Sequence, residues 1–203
     1  MKATQMLMMN KPFVIPEITG YGKLYSVGSI FDANGFAPTG WHVPSKDEWS
    51  ILSASLGGGG KMKMTGLDFW LTPNTGAENA YNLGAVGSGK RNTSGTYSKL
   101  KERGYWHSTT YNPSYHWGYF LRYDTDTFCY FNIVGGYHVA VRLIKDNSTN
   151  DGTLKDYDGN IYDTVKVGTQ VWTVQNWKCT HYKNGVALGA TDWYYYDDDP
   201  DNN

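Results

Sequence analysis

Gly84-Ala-Val-Gly-Ser-Gly89-Lys90 approaches the spelling of a phosphate-cradling loop. In such loops glycines let backbone N–H groups wrap the phosphates while a lysine and a following serine or threonine hold phosphate and Mg²⁺. Arg91 stands in the hydroxyl position. Asn92-Thr93-Ser94-Gly95 then blocks the helix such a loop must feed, so the spacing argues against nucleotide binding. Asp156-Tyr157-Asp158-Gly159-Asn160 starts like a calcium loop but lacks glycine at position six and a bidentate glutamate at twelve, and Asp158-Gly159 reads as a turn. The acidic run Asp197, Asp198, Asp199 and Asp201 could ligate a hard cation such as calcium, although terminal acidic runs are commonly just solvated. No other cofactor is expected. Five histidines and several serines occur, yet no Gly-x-Ser-x-Gly elbow sets a nucleophile beside a base, so each histidine reads as structural or surface. Cys129 and Cys179 stand in unlike contexts, without a second Cys or His at zinc-ligand spacing, and read as two free thiols rather than a disulfide.

The stretch from Tyr105 to Tyr137 carries a different chemistry. Tyr, Trp, Phe, His and Asn recur on both faces of its strand-like segments and in the turns between them, and half of them must point away from a core. Tyrosine and tryptophan give large amphipathic contact area at low entropy cost, and a Tyr, Ser, Gly and Asn vocabulary is that of an antibody paratope. Two readings stay open on composition: a recognition surface, or a two-sided aromatic core with ordinary surface tyrosines.

The elements that position these residues follow from pattern. The 203 residues include 24 glycines, 17 tyrosines and 8 tryptophans with only 18% charged residues, which excludes a coiled coil or a disordered chain and points to one loop-rich domain. A net charge of −1 removes long-range attraction to phosphates, so no nucleic-acid partner is expected. No run approaches the roughly 18 apolar residues of a membrane span, so no membrane insertion is expected. Residues 1–20 read as a leader or linker, and no small-residue cleavage site marks a signal peptide. Ser45 and Glu48 form a capping box that starts a helix over 45–56, ended by Gly57, with Trp49, Leu52 and Leu56 on its buried stripe. Gly57 to Gly60 reads as loop and residues 61–100 as mostly irregular. A three-stranded antiparallel meander is expected from 117–123, 128–133 and 137–144, with His138, Ala140 and Arg142 on the polar or half-exposed face of its last strand. Residues 146–152 read as a linker, and 160–167 with 170–177 as a hairpin around Gly168-Thr169.

Tyr21-Gly22-Lys23-Leu24-Tyr25, Ala37 to Ser45 with Glu48-Trp49, Asn74 to Ala77, Arg91-Asn92, Gly104-Tyr105-Trp106 with Ser108-Thr109, and Val141-Arg142 belong together in one further respect. Jointly they resemble the Fibrobacter succinogenes major paralogous domain family, a bacterial group with the C-type-lectin-like fold. The resemblance implies an α+β chain of antiparallel strands with one or two short helices and much irregular loop. Asp158 to Trp172, with Asn176, is similar to that family's opening strands, yet here it comes last. The implied order is circularly permuted: after the 1–20 leader, residues 21–203 form one domain, made of a main part 21–145, the 146–152 linker and a 153–203 segment. Residues 153–177 are then expected to pair near 137–144. Exchange of that segment between chains, giving a homo-oligomer, is the rival arrangement.

Tyr105 to Arg142 also resembles the variable region of lectin-fold proteins diversified by retroelements, many of them phage or bacterial surface binders. In that resemblance the tryptophan-serine frame and Val141-Arg142 are scaffold. His107, Tyr111, Asn112, Tyr115, His116, Tyr119, Arg122, Tyr123, Tyr130, Asn132 and Tyr137 are the varied, ligand-binding positions. The function implied is binding without catalysis, directed at a protein or glycan receptor on a cell surface, from a virion, phage tail or bacterial surface. Variable regions normally lie at the C-terminus, whereas here a long segment follows. The alternatives are a structural assembly component and a relative of the formylglycine-generating oxidases. Those oxidases need a cysteine pair at one active site, and neither Cys129 nor Cys179 sits in a matching motif.

Overall fold

The computed structural model describes residues 20–199. Apart from Gly20, the expected leader lies outside the described residues, as does Asp201. Among the described residues are helices α1 (Val27–Ile30) and α2 (Lys46–Leu56) and thirteen short strands. The strands are β1 (Leu24–Ser26), β2 (Trp41–His42), β3 (Ser88–Arg91), β4 (Tyr97–Leu100), β5 (Arg103–Asn112), β6 (Tyr115–Arg122) and β7 (Cys129–Ile133). They continue with β8 (His138–Val139), β9 (Ile144–Lys145), β10 (Thr153–Lys155), β11 (Ile161–Val167), β12 (Gln170–Thr173) and β13 (Trp193–Tyr194). One sheet runs β13-β1-β8-β3-β5-β6-β7 with β4 beside β3, and the other runs β10-β11-β12-β9-β2. Pairing is antiparallel except between β3 and β5. The architecture is α+β, mostly strands and irregular connections, and is compatible with a C-type-lectin-like fold. No described helix is long and apolar enough to cross a membrane.

Helix α2 forms where its capping box requires. Ser45 Oγ accepts from the Glu48 amide at 3.3 Å, Glu48 Oε2 accepts from the Ser45 amide at 2.7 Å, and Gly57 closes the helix at φ 70°. Trp49, Leu52 and Leu56 are buried on one stripe. Trp49 donates from Nε1 to the His107 carbonyl at 3.1 Å and packs against the rings of Trp106, Tyr119, Phe128 and Trp172. This ring cluster sits between α2 and the β5–β6 pair, and it sets which end of that pair is core.

The meander differs from expectation in one strand. Its members are β5, β6 and β7, while the segment after Gly135-Gly136 leaves β7 and returns to pair with β1 and β3. Strand β5 escapes pattern reading because its polar residues His107 and Ser108 are both buried and break the apolar alternation. The 138–144 stretch also has no half-exposed face. His138, Ala140 and Arg142 are as buried as Val139, Val141 and Leu143, because backbone partners lie on both of its edges and packed residues on both faces.

The last quarter of the described chain completes both sheets. In the hairpin β11–β12, Val167 faces Gln170 across Gly168-Thr169, and Trp172 of β12 pairs with Ile144 of β9. Backbone bonds from Thr173 to Leu143 (3.0 Å) and from Trp177 to Val141 (2.8 Å) extend the contact into the 137–144 stretch. Strand β13 pairs with β1. A buried polar hub joins the parts. Arg142 donates from Nε to Asn176 Oδ1 (2.7 Å), from Nη1 to the Leu83 and Thr173 carbonyls (2.7 and 2.8 Å) and from Nη2 to the Gly84 carbonyl (2.8 Å). Asn176 Oδ1 also accepts from Trp106 Nε1 at 2.8 Å, and its Nδ2 donates to the Tyr21 carbonyl at 2.8 Å. A buried guanidinium is tolerable only when its nitrogens find acceptors, and here four bonds to neutral acceptors engage all three of them.

The long irregular middle is held by a second internal cation. Lys63 Nζ donates to the Thr75, Arg122 and Thr125 carbonyls at 2.7, 2.9 and 3.0 Å, tying the 63–75 loop to the β6–β7 turn. Gly84 to Lys90 is no phosphate loop: it runs into strand β3, and the Lys90 ammonium lies over the Tyr137 and Tyr105 rings. Asp156 to Asn160 is a turn closed on itself, with Asp156 accepting from the Asn160 amide and from Tyr162 Oη.

Candidate ligand-binding surface on the β5–β6–β7 ribbon

Register and alternation sort the aromatic residues into two faces. Trp106 faces Tyr119, which faces Tyr130, so these three share the face that α2 covers; Trp117 opposite Asn132, and Asn112 opposite Tyr115, continue the same face outward. The ribbon outruns the helix. Tyr119 Oη donates to the Lys46 carbonyl at 3.1 Å, so the first residue of α2 marks the boundary between covered and open face. Between His107 and Tyr111 the pairing slips by a β-bulge. The bulged residues dock the helix start: Thr109 donates its amide to the Pro44 carbonyl (2.9 Å) and the Lys46 amide donates to Thr110 Oγ1 (2.9 Å).

Beyond that boundary lies a cluster of open rings. Tyr115 and Trp117 meet edge to face at 5.6 Å, and Trp117 and Tyr130 at 4.9 Å. Lys46 turns its side chain over them, with Nζ 4.3 Å from the Trp117 ring centroid and 6.0 Å from that of Tyr130. Tyr130 is 61% exposed, and Asn132 beside it is exposed. Asn112 is held by its turn, its Oδ1 accepting from the Ser114 and Tyr115 amides at 2.9 and 3.0 Å. That leaves its Nδ2 donors without a partner among the described residues.

The eleven positions singled out from sequence therefore separate. Asn112, Tyr115, Tyr130 and Asn132 come together on this open face. Tyr111 and His116 occupy the opposite face, where their rings and that of Phe31 lie 5.0–6.1 Å apart beside Val27 and Gly28, around a concavity of about 290 Å³. Burial lowers the His116 pKa. Tyr137 packs against the Tyr105, Ile133 and Val139 cluster. Arg122 and Tyr123 sit at the other end of β6, where Arg122 makes a two-bond pair with Asp124 (2.8 and 2.6 Å) and Tyr123 packs on the core.

His107 and Tyr119 are corrections. His107 is fully buried, donates from Nε2 to the Tyr25 carbonyl at 2.8 Å, and is kept neutral by burial, with a pKa of about 4. Tyr119 is 4% exposed, stacked on Phe128 at 4.8 Å. Both lie on the stretch that α2 and the sheet cover, so neither presents a surface to a partner. Two residues of the open face were missed from sequence. Trp117 is absent from the positions that the resemblance singles out, although its i, i+2 spacing from Tyr115 places it on the same face. Lys46 carried no signal, because only the packing of α2 across β6 brings it there.

No described group of three His, Cys, Asp or Glu side chains is placed to hold a metal ion. Both cysteines are free: Cys129 lies half-buried on β7, whereas Cys179 is buried and donates to the His181 carbonyl at 3.2 Å. The elements and this surface define an α+β domain whose irregular middle and paired sheets support an open aromatic ribbon end. A family model described as the Fibrobacter succinogenes major domain matches residues 16–145, more than half of the chain, and the chain belongs to that family. No curated protein and no solved structure matches it.

Proposed function

We propose that this chain is a non-catalytic binding module, built on a circularly permuted C-type-lectin-like scaffold, which recognises a protein or glycan receptor through the open end of the β5–β6–β7 ribbon. The observation that carries the reading is the Tyr115–Trp117–Tyr130 cluster, half-buried to exposed and bordered by amide and ammonium donors. Rings of this kind serve as anchors in recognition surfaces, where a few aromatics carry most of the energy. Diversification of these positions by a retroelement belongs to the same reading, and a reverse-transcriptase gene beside a near-copy of codons 105–142 is its genomic test.

Binding of the wild type and of a Tyr115→Ala, Trp117→Ala, Tyr130→Ala variant to a glycan array and to a panel of bacterial surfaces tests the proposal. The variant should keep its melting temperature within a few degrees and lose the ligands that the wild type retains. Collapse of the fold, or unchanged binding, would reject the open face as the site. A second reading, an assembly component, draws on β7, which ends its sheet and carries exposed Tyr130, with exposed Val134 just past its end. An edge strand without charge or proline is a template for pairing with another chain. A monomeric mass at working concentration would remove it.

A further inference from the structure

We infer that the open face takes a carboxylated sugar, a pyranose ring bearing a carboxylate as in uronic-acid glycans; this rests on the binding-module reading above. Three features of the face select that chemistry together. The first is apolar ring area: Tyr130, 61% exposed, meets half-buried Trp117 edge to face at 4.9 Å, so the Tyr130 ring offers a plane on which the C–H face of a pyranose can lie beside the open edge of Trp117.

The second is a fixed cation. Lys46 is half-buried, and its ammonium is held 4.3 Å over the Trp117 ring without a hydrogen bond or ion pair to any other described residue. Of the two acidic residues that follow it, Glu48 is engaged by Ser45 and His42, and exposed Asp47 makes no ion pair with it. An ammonium already positioned by ring contacts needs little reorganisation to meet a carboxylate, and the pair gains from partial exclusion of water by the rings.

The third feature is an excess of amide donors. Asn112 has its oxygen occupied by the turn and presents Nδ2, and the Asn132 side chain has no partner among the described residues. Both share the face of Trp117 by strand register. The surface thus offers one cation and several hydrogen-bond donors around an apolar floor, which matches a ligand with an apolar face and an oxygen-rich, anionic rim. A glutamate side chain supplies the carboxylate without a ring-sized face, and a neutral hexose supplies the face without the charge.

Isothermal titration calorimetry with three probes separates these chemistries: an α-1,4-linked tetragalacturonate, its methyl ester, and a tetraglutamate peptide. Wild-type protein should bind the tetragalacturonate at least about tenfold more tightly than either of the others, with affinity falling as salt rises. Lys46→Gln should bring acid and ester to equal affinity, Lys46→Arg should restore the preference, and Trp117→Ala should remove both sugars. Equal binding of acid and ester by the wild type overturns the inference while leaving the module reading intact. So does preference for tetraglutamate, or failure to bind tetragalacturonate when array ligands are still lost in the triple aromatic variant. Tetragalacturonate binding that survives Trp117→Ala also overturns it, by placing the sugar elsewhere. Melting curves of each variant separate lost binding from lost fold.

Discussion

The β5–β6 pair is core at one end and surface at the other, although both ends draw on the same few residue types. At the inner end Trp106, His107 and Tyr119 are buried, and each donates a hydrogen bond to a named acceptor: Asn176 Oδ1, the Tyr25 carbonyl and the Lys46 carbonyl. At the outer end Tyr115 and Trp117 lie half-open, touching each other and a lysine instead of a packed layer, and on the other face exposed Tyr111 meets the His116 and Phe31 rings. What separates the ends is where α2 crosses the ribbon, and Lys46 touches both: its carbonyl receives the last buried tyrosine and its ammonium covers the first open tryptophan. An aromatic-rich strand therefore does not announce its function by composition; the depth at which a helix leaves it does.

The contrast can be broken most sharply at the hub behind the inner end. Arg142→Met strands the Leu83, Gly84 and Thr173 carbonyls and loosens the Asn176 grip on Trp106, and should cost about 3–5 kcal/mol by urea denaturation. Next come paired truncations on one cross-strand pair. Tyr119→Ala should cost about 3 kcal/mol and Tyr130→Ala less than about 1 kcal/mol, and equal losses would end the distinction between covered and open rings on this face.

A smaller effect is expected at the helix start that divides them. His42 bridges Glu48 (2.8 Å from Nε2) and Asp146 (2.6 Å from Nδ1). The bond to Glu48, then that to Asp146, raise the His42 pKa against the opposing effect of burial. A raised folded-state pKa gives stability that is complete below the unfolded value of about 6.5 and lost as pH climbs through the folded one. Burial disfavours the Glu48 carboxylate, yet its bonds from His42 and Ser45 outweigh burial and bring its pKa down to about 2. That contribution is present above the unfolded value, about 4.3, and fades as pH falls toward 2. Melting temperature should therefore decline from pH 6 to pH 9 in the wild type and decline less in His42→Gln. The smallest effect concerns thiols. Burial pushes the Cys179 thiol up to about 11, so iodoacetamide under native conditions should label Cys129 on the edge strand well before Cys179, as peptide mass mapping would record.

Local chemistry made much of this legible in the sequence. The α2 capping box, its Trp49–Leu52–Leu56 stripe and the Gly168 hairpin follow from contacts within a few residues or from a strong period, whereas the docking of the hairpin near residues 141–144 was legible only through the family resemblance and its permuted order. Strand β5 and the true path of 138–144 were hidden because buried polar residues carry no apolar pattern; His107, Ser108 and Arg142 are inside only because distant carbonyls and amides receive them. The site was half legible for the same reason. Strand alternation could group Tyr115 with Trp117, but not tell that Tyr119 lies under a helix and Trp117 beyond it, and the role of Lys46 depends on a crossing that no local spacing encodes.

The pairing of Tyr25 with Trp193, and of Ile144 with Trp172, has a consequence in time. Strand β1 leaves the ribosome well before its outer neighbour β13, which lies near the end of the described residues. At about 5–20 residues per second the first strand waits on the order of ten seconds or more for its partner. Through that interval the nascent chain exposes the flanks of β1 and β9, and the Arg142 guanidinium awaits Thr173 and Asn176. The order of the segments thus makes this a domain that closes late, with its rings and strand edges open to chaperones until the final quarter has been made.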